Sequence, residues 1–169
     1  MSSGEISIDA PIEDRIAWAE DCYQSQGALF LKNQGLTELL SDLKKAVLSS
    51  RRELHLSGII EECSRCVDKE GGSCCGAGLE DKYSGSLLLI NLLLGCNLPH
   101  KRPDPKDCYF LGKEGCTLMA RHVICVNYLC KKITDKVEPG LLKILREKEG
   151  RELEILFILN EKIKKLLRI

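Results

Sequence analysis

Apolar residues recur at helical spacing in several stretches of the chain. Ile12, Ile16, Ala19 and Tyr23 line one face of a first predicted helix. Asp9 is its expected N-cap, and Pro11 falls in the first turn, where a missing N–H costs nothing. Gly27 and Gly35 bracket a short segment before the next helix. That helix is expected over 37–56, with Leu36, Leu40, Leu43, Val47 and Leu54 on its apolar face. Lys44, Lys45, Arg51, Arg52 and Glu53 are free to point elsewhere, and Gly58 ends the pattern.

The run 87–94, LLLINLLL, is too continuous for one face and reads as a buried helix capped by Ser84 or Ser86. It is eight residues long and contains Asn91, far short of the roughly 20 that a membrane span needs. Two short apolar runs flank Gly112 to Gly115 and read as a β-hairpin over 108–119. From Glu138 onward a C-terminal helix is expected after Pro139, with Ile155, Leu156, Leu159, Ile163, Leu166 and Leu167 as its stripe. Lys162, Lys164, Lys165 and Arg168 suit its C-terminal dipole, and Gly150 marks a kink or a break. The run 155–159 is wider than one face requires, which fits either deep burial or contact with a second copy of the chain.

Composition narrows the class. The chain has 169 residues, enough for one domain with its own core. Lys plus Arg and Asp plus Glu both count 25, and this zero net charge argues against a nucleic-acid partner. The basic loop 100–106, HKRPDPK, carries two prolines and an acid and reads as solvated. The N-terminal residues are polar and acidic, unlike a signal peptide. With no membrane span either, a cytoplasmic protein is expected.

Ten cysteines change the picture. In a reducing compartment, clustered thiols are better explained by metal ligation than by disulfides. Cys63 and Cys66 form a CxxC pair, and Cys74 and Cys75 follow among Gly71, Gly72 and Gly76, which permit a tight backbone. Adjacent side chains diverge, so Cys74 and Cys75 serve different metals or different atoms of one cluster, or one of them is structural. Loop parity decides whether Cys108 and Cys116 share a face. A three-residue loop 112–114, or a bulge at Gly115, puts them together and a regular four-residue loop puts them apart. Cys125 and Cys130 are five apart, about 140° around a helix, so a shared centre requires a helix boundary between them. Cys22 and Cys96 read as small apolar filler. His55, beside Gly58, reads as a surface or capping residue.

The pattern CSRC…GGSCCG followed by CYFLGKEGCTLMARHVICVNYLC resembles the YkgJ-like cysteine-cluster family, a CxxCxxCC zinc- or iron-chelating domain. The resemblance covers about 63–130. It implies a ligand set of Cys63, Cys66, Cys74, Cys75, Cys108, Cys116, Cys125 and Cys130, with Leu111, Gly115 and Arg121 also matching. The gap between Cys66 and Cys74 exceeds the family's shortest form. His122 stands where the family often has proline, as an extra ligand or a surface residue.

The fold expected is mainly α, a single helical domain over 1–169 with a small β-hairpin and a cysteine-rich metal-binding loop region. N-terminal helices occupy 9–58, the cysteine cluster 63–130 and the C-terminal helix 138–169. The function expected is binding of zinc or iron through thiolates, in a structural, redox or maturation role. With one CxxC and irregular spacings, an iron–sulfur cluster such as [4Fe–4S] fits better than paired zinc knuckles. Two alternatives are a cluster-dependent group-transfer enzyme, or its accessory, and a zinc-fastened interaction module. The module reading uses the C-terminal helix for a protein partner or self-association.

Overall fold

In a computed structural model the described residues are 4–70 and 74–167, and the side chains of 66–70 lie outside the description. Gly71, Gly72, Arg168 and the thiol of Cys66, all given roles above, therefore fall outside it. Helix α1 spans Ile12–Lys32, α2 Gln34–Leu56, α3 Ile59–Glu70 and α4 Gly85–Leu93. A 3₁₀ turn, Leu79–Lys82, precedes α4. Strands β1 (Leu111–Gly112) and β2 (Gly115–Cys116) pair antiparallel, and α5 (Val123–Asn127), α6 (Lys131–Lys136) and α7 (Pro139–Leu167) follow. The described chain is mainly helical with a small two-stranded sheet, and no helix in it is long and apolar enough to cross a membrane.

Each expected helix forms, with changed boundaries. Pro11, not Asp9, is the N-cap of α1. Gly27 does not end that helix. It lies buried inside α1 beneath the Tyr23 ring, where an added Cβ would sit 3.0 Å from a ring carbon. The break comes at Asn33, whose side chain accepts from the Leu36 N–H at 3.1 Å and caps α2. Gly58, at φ 72°, ends the pattern as expected, since its left-handed backbone suits glycine. Ser84 caps α4 by accepting from the Leu87 N–H at 3.3 Å. At α7 the Glu138 carboxylate accepts from the N–H groups of Gly140 and Leu141 at 2.9 and 3.0 Å. Gly150 does not break α7, which runs unbroken from Pro139 to Leu167 with Gly150 exposed and open space where a Cβ would lie.

The main core joins Ile12, Ile16 and Ala19 of α1, Leu36, Leu40, Leu43 and Val47 of α2, Leu87, Leu88, Leu89, Ile90 and Leu93 of α4, and Ile155, Leu156, Leu159 and Ile163 of α7. Helix α7 runs along α2, and α4 lies against α1. The wide run 155–159 is split. Ile155, Leu156 and Leu159 are buried, whereas Phe157 and Ile158 are 67% and 46% exposed. Leu166, expected in the stripe, is also exposed. A smaller cluster of Ile59, Ile133, Val137 and Leu145 gathers α3, α6 and the start of α7.

Candidate metal centre

Three chain segments carry the central thiols, and each is held by its own polar contact. The first contains Cys74 and Cys75. Gly76 pairs with Asp107 in an antiparallel bridge, so the Cys108 N–H donates to the Cys75 carbonyl at 2.7 Å and Ala77 N–H to Lys106 at 2.9 Å. Buried Glu80 clamps the same two loops. Its carboxylate accepts from the N–H of Gly78 at 3.0 Å and of Tyr109 at 3.4 Å, and from the Arg102 guanidinium. Arg102, in the basic loop read as solvated, also donates to the Asp107 carbonyl at 2.6 Å.

The second segment is the hairpin, whose turn contradicts both loop lengths considered. Leu111 pairs with Cys116 and Gly112 with Gly115, leaving the two-residue turn Lys113 and Glu114. Gly115 sits at φ 106°, a backbone that glycine accepts readily. Parity does not relate Cys108 to Cys116, because Cys108 lies outside the ladder. Its carbonyl accepts from the Leu111 N–H at 3.0 Å in a turn that leads into β1.

Asn91 fixes the third segment and explains the one polar residue in the apolar run. Fully buried, it accepts at Oδ1 from the N–H groups of Met119 and Ala120, both at 2.9 Å. Its Nδ2 donates to the carbonyls of Leu87 and Ala120 at 3.0 and 2.9 Å. All the polar capacity of the amide is thereby used. From this anchor the chain runs through Arg121 and His122 into α5 and Cys125. His122 is the N-cap of α5, with Nδ1 accepting from Ile124 N–H at 3.2 Å, so its ring is engaged in capping.

Tyr83 joins the segments. Its hydroxyl lies 3.7 Å from Cys125 Sγ and accepts from the His122 N–H at 3.2 Å. Burial raises its pKa, and Cys116 and Cys125 raise it further. The thiols act on one another across this region. Burial pushes Cys108 up to about 11, with Cys116 and Cys125 adding to the rise. Cys75 is raised by its hydrogen bond with Cys74 and by burial, and again by Cys116 and Cys125. Accepting that bond pulls Cys74, the exposed member of the pair, down to about 6. Burial also raises Cys116, against the pull of the nearby Arg121 and Arg51. Cys75, Cys108, Cys116 and Cys125 thus form one electrostatic neighbourhood on the edge of the main core.

Cys63 and Cys130 belong elsewhere, against the smaller apolar cluster. Cys63 lies in α3, with Cys66 one turn further along it. A helix boundary does separate Cys125 from Cys130, the latter being the N-cap of α6, yet the two thiols lie against different clusters. Among the described expected ligands, Cys75, Cys108, Cys116 and Cys125 lie with the main cluster and Cys63 and Cys130 with the smaller one. Among the described residues no cysteine is disulfide-bonded, and no three Cys, His, Asp or Glu side chains stand close enough to hold a metal ion as placed. Packing against the apolar clusters accounts for where these thiols lie, and thiolates are the donors that zinc and iron–sulfur clusters take.

Of the set-aside thiols, Cys22 packs against the core, and burial, Asp21 and Glu5 raise its pKa. Cys96 is half-buried. His55 is exposed in the last turn of α2. The sequence reading gave no role to Tyr83, Glu80 or Arg51. A tyrosine or glutamate within a few residues of a cysteine carries no periodic signal, and Arg51 sat where the pattern assigned solvent. No family model, no curated protein and no solved structure matches the chain.

Proposed function

We propose that the chain binds a metal ion or cluster through cysteine thiolates, in a structural, redox or maturation role. The observation that carries this reading is that Cys75, Cys108, Cys116 and Cys125, from three chain segments, all pack with the main apolar cluster, with Cys125 Sγ 3.7 Å from the Tyr83 hydroxyl. That is the number of thiolates a tetrahedral zinc or a [4Fe–4S] cluster requires. Cys63, Cys66 and Cys130 are the candidates for a second site, with Cys74 at the exposed edge of the first. An iron–sulfur cluster is the preferred occupant, because CxxC occurs once and the remaining spacings are irregular. The likeness to the YkgJ-like family supports the same ligands, and reduced thiols in this number suit a cytoplasmic setting. Anaerobic purification followed by zinc, iron and acid-labile sulfide analysis tests the reading, and a chain with none of the three defeats it.

A specific observation supports each of two further readings. An open cavity of about 470 Å³ is lined by Arg51 and the hairpin, with Cys116 the one thiol on its wall, and substrate access to a cluster-dependent enzyme would need such an opening. Small-molecule retention on the purified protein tests that reading. The exposed Phe157 and Ile158 support association through α7. Deleting 152–169 would strip Ile155, Leu159 and Ile163 from the core, so Phe157→Lys is the suitable variant. Light scattering that finds wild type and variant equally monomeric removes self-association.

A further inference from the structure

Arg51 leaves the solvent face expected of it and lies across to the hairpin. Its Nη2 donates at 2.7 Å to the carbonyl of Leu118, a fully buried residue. That bond ties one end of the guanidinium to the protein. It is the one hydrogen bond the side chain makes among the described residues, and Nε and Nη1 are not sealed from solvent. The charge is not neutralised by a neighbour either. Among the described residues Arg51 forms no ion pair within 4 Å. Glu152, buried on α7, accepts from Ser50 instead.

The guanidinium faces an open cavity of about 470 Å³ whose other side is the hairpin. That volume lies in the range of small-molecule sites. Gly115 keeps its side open, since nothing lies within 4 Å of a Cβ placed there. Lys113 and Glu114 complete the charged lining, so two cations meet one anion in a chain whose net charge is zero. A guanidinium is a planar fork of N–H donors that matches the oxygens of a carboxylate or a phosphate. Held at Nη2 and open elsewhere, Arg51 is oriented to take such a group before any ligand arrives.

We propose that this cavity binds a small molecule carrying a carboxylate or phosphate group, with Arg51 as the residue that holds the oxyanion. A ligand held there lies beside Cys116, the one thiol on the cavity wall. This goes beyond metal binding, because the anion is held by Arg51 and not by the thiols.

The test is thermal melting of the anaerobically purified full-length chain in sodium phosphate or sodium acetate, against sodium chloride at equal ionic strength. A ligand of the folded chain raises the midpoint as its concentration rises, and the titration gives an apparent Kd. Equal ionic strength holds screening constant, and the general salting effect of phosphate acts on every variant alike. Phosphate, acetate or both should stabilise wild type beyond chloride. Phosphate alone assigns a phosphate-bearing ligand, and acetate alone a carboxylate-bearing one. Arg51→Gln should weaken the apparent affinity about tenfold or more, the loss expected when a hydrogen bond to a charged group goes. Arg51→Lys keeps the charge without the fork and should fall between. Glu114→Gln removes the opposing charge and should tighten binding. Lys44→Gln, exposed elsewhere on α2, should change nothing. If Arg51→Gln does not fold, Arg51→Lys and Glu114→Gln decide. A wild type stabilised no more than Arg51→Gln, or than Arg51→Lys with Glu114→Gln unchanged, would overturn the site. A loss in Lys44→Gln as large as in Arg51→Gln would overturn it too, since general charge and not the cavity would then attract the anion.

Discussion

The backbone N–H of Cys108 donates to the carbonyl of Cys75 at 2.7 Å, although the two residues are far apart in sequence. This bond and the Gly76–Asp107 bridge hold two cysteine loops in a fixed register before any ligand is considered. Glu80 reinforces them from beneath by bonding both loops and Arg102. Replacing Glu80 by Ala leaves the Gly78 and Tyr109 N–H groups unmet and removes one of the two partners of Arg102, and should cost about 2–4 kcal/mol. Urea unfolding of wild type and variant measures this, with no change in the slope if both loops stay folded.

Two of the buried glutamates, Glu80 and Glu149, should respond to acid in opposite senses. Burial alone would raise the pKa of Glu80, but Arg102 and the backbone N–H groups outweigh it and hold the carboxyl below its ordinary range. Its contribution is therefore present above the unfolded value of about 4.3 and is lost as pH falls through the folded one. Burial raises Glu149 despite Arg146, so its contribution is fullest below about 4.3 and is lost as pH rises through its folded value. Urea titrations from about pH 3 to pH 7, with chelator and reductant present, should show Glu80→Gln removing acid sensitivity and Glu149→Gln adding it. Identical slopes for both variants would refute the assignment.

Asn91→Leu keeps the volume of the side chain and removes every bond it makes. Met119 and Ala120 are then left with unmet backbone groups in the core, at a cost of about 3 kcal/mol or more. The thermal midpoint should fall by roughly 6–12 °C for a chain of this size. Because Asn91 also sets the start of the Arg121–Cys125 segment, metal content should fall with it.

The sequence told much about the helices and less about the site, for a physical reason. Periodicity marks a face, so the stripes from Ile12 to Ala19 and from Leu36 to Val47, and the buried run at Leu87, were all legible. Gly27 misled because glycine reads as a break, whereas here Tyr23 covers it inside α1. Cysteine spacing gave the candidate ligands but not their grouping. Grouping depends on the Gly76–Asp107 bridge and on which cluster α3 and α6 join, and both are long-range. Arg51 and Tyr83 act through tertiary contacts that leave no pattern in the chain.

Gly150 gives a prediction of the opposite sign. It lies in the interior of α7, exposed, with nothing within 4 Å of a Cβ placed there. Gly150→Ala should stabilise the fold by about 0.5–1 kcal/mol, chiefly by restricting the unfolded chain. Guanidinium unfolding checks it, and a loss of stability would mean that α7 bends at this position.

The central claim is that Cys75, Cys108, Cys116 and Cys125 hold the metal. Its most direct test is metal and sulfide analysis of anaerobically purified wild type beside Cys75→Ser, Cys108→Ser, Cys116→Ser, Cys125→Ser and Cys22→Ser. The account predicts iron and sulfide in equal amounts in the wild type, loss in each of the four variants, and full content in Cys22→Ser. Full metal content in the four, or a wild type with no zinc, iron or sulfide, would contradict it.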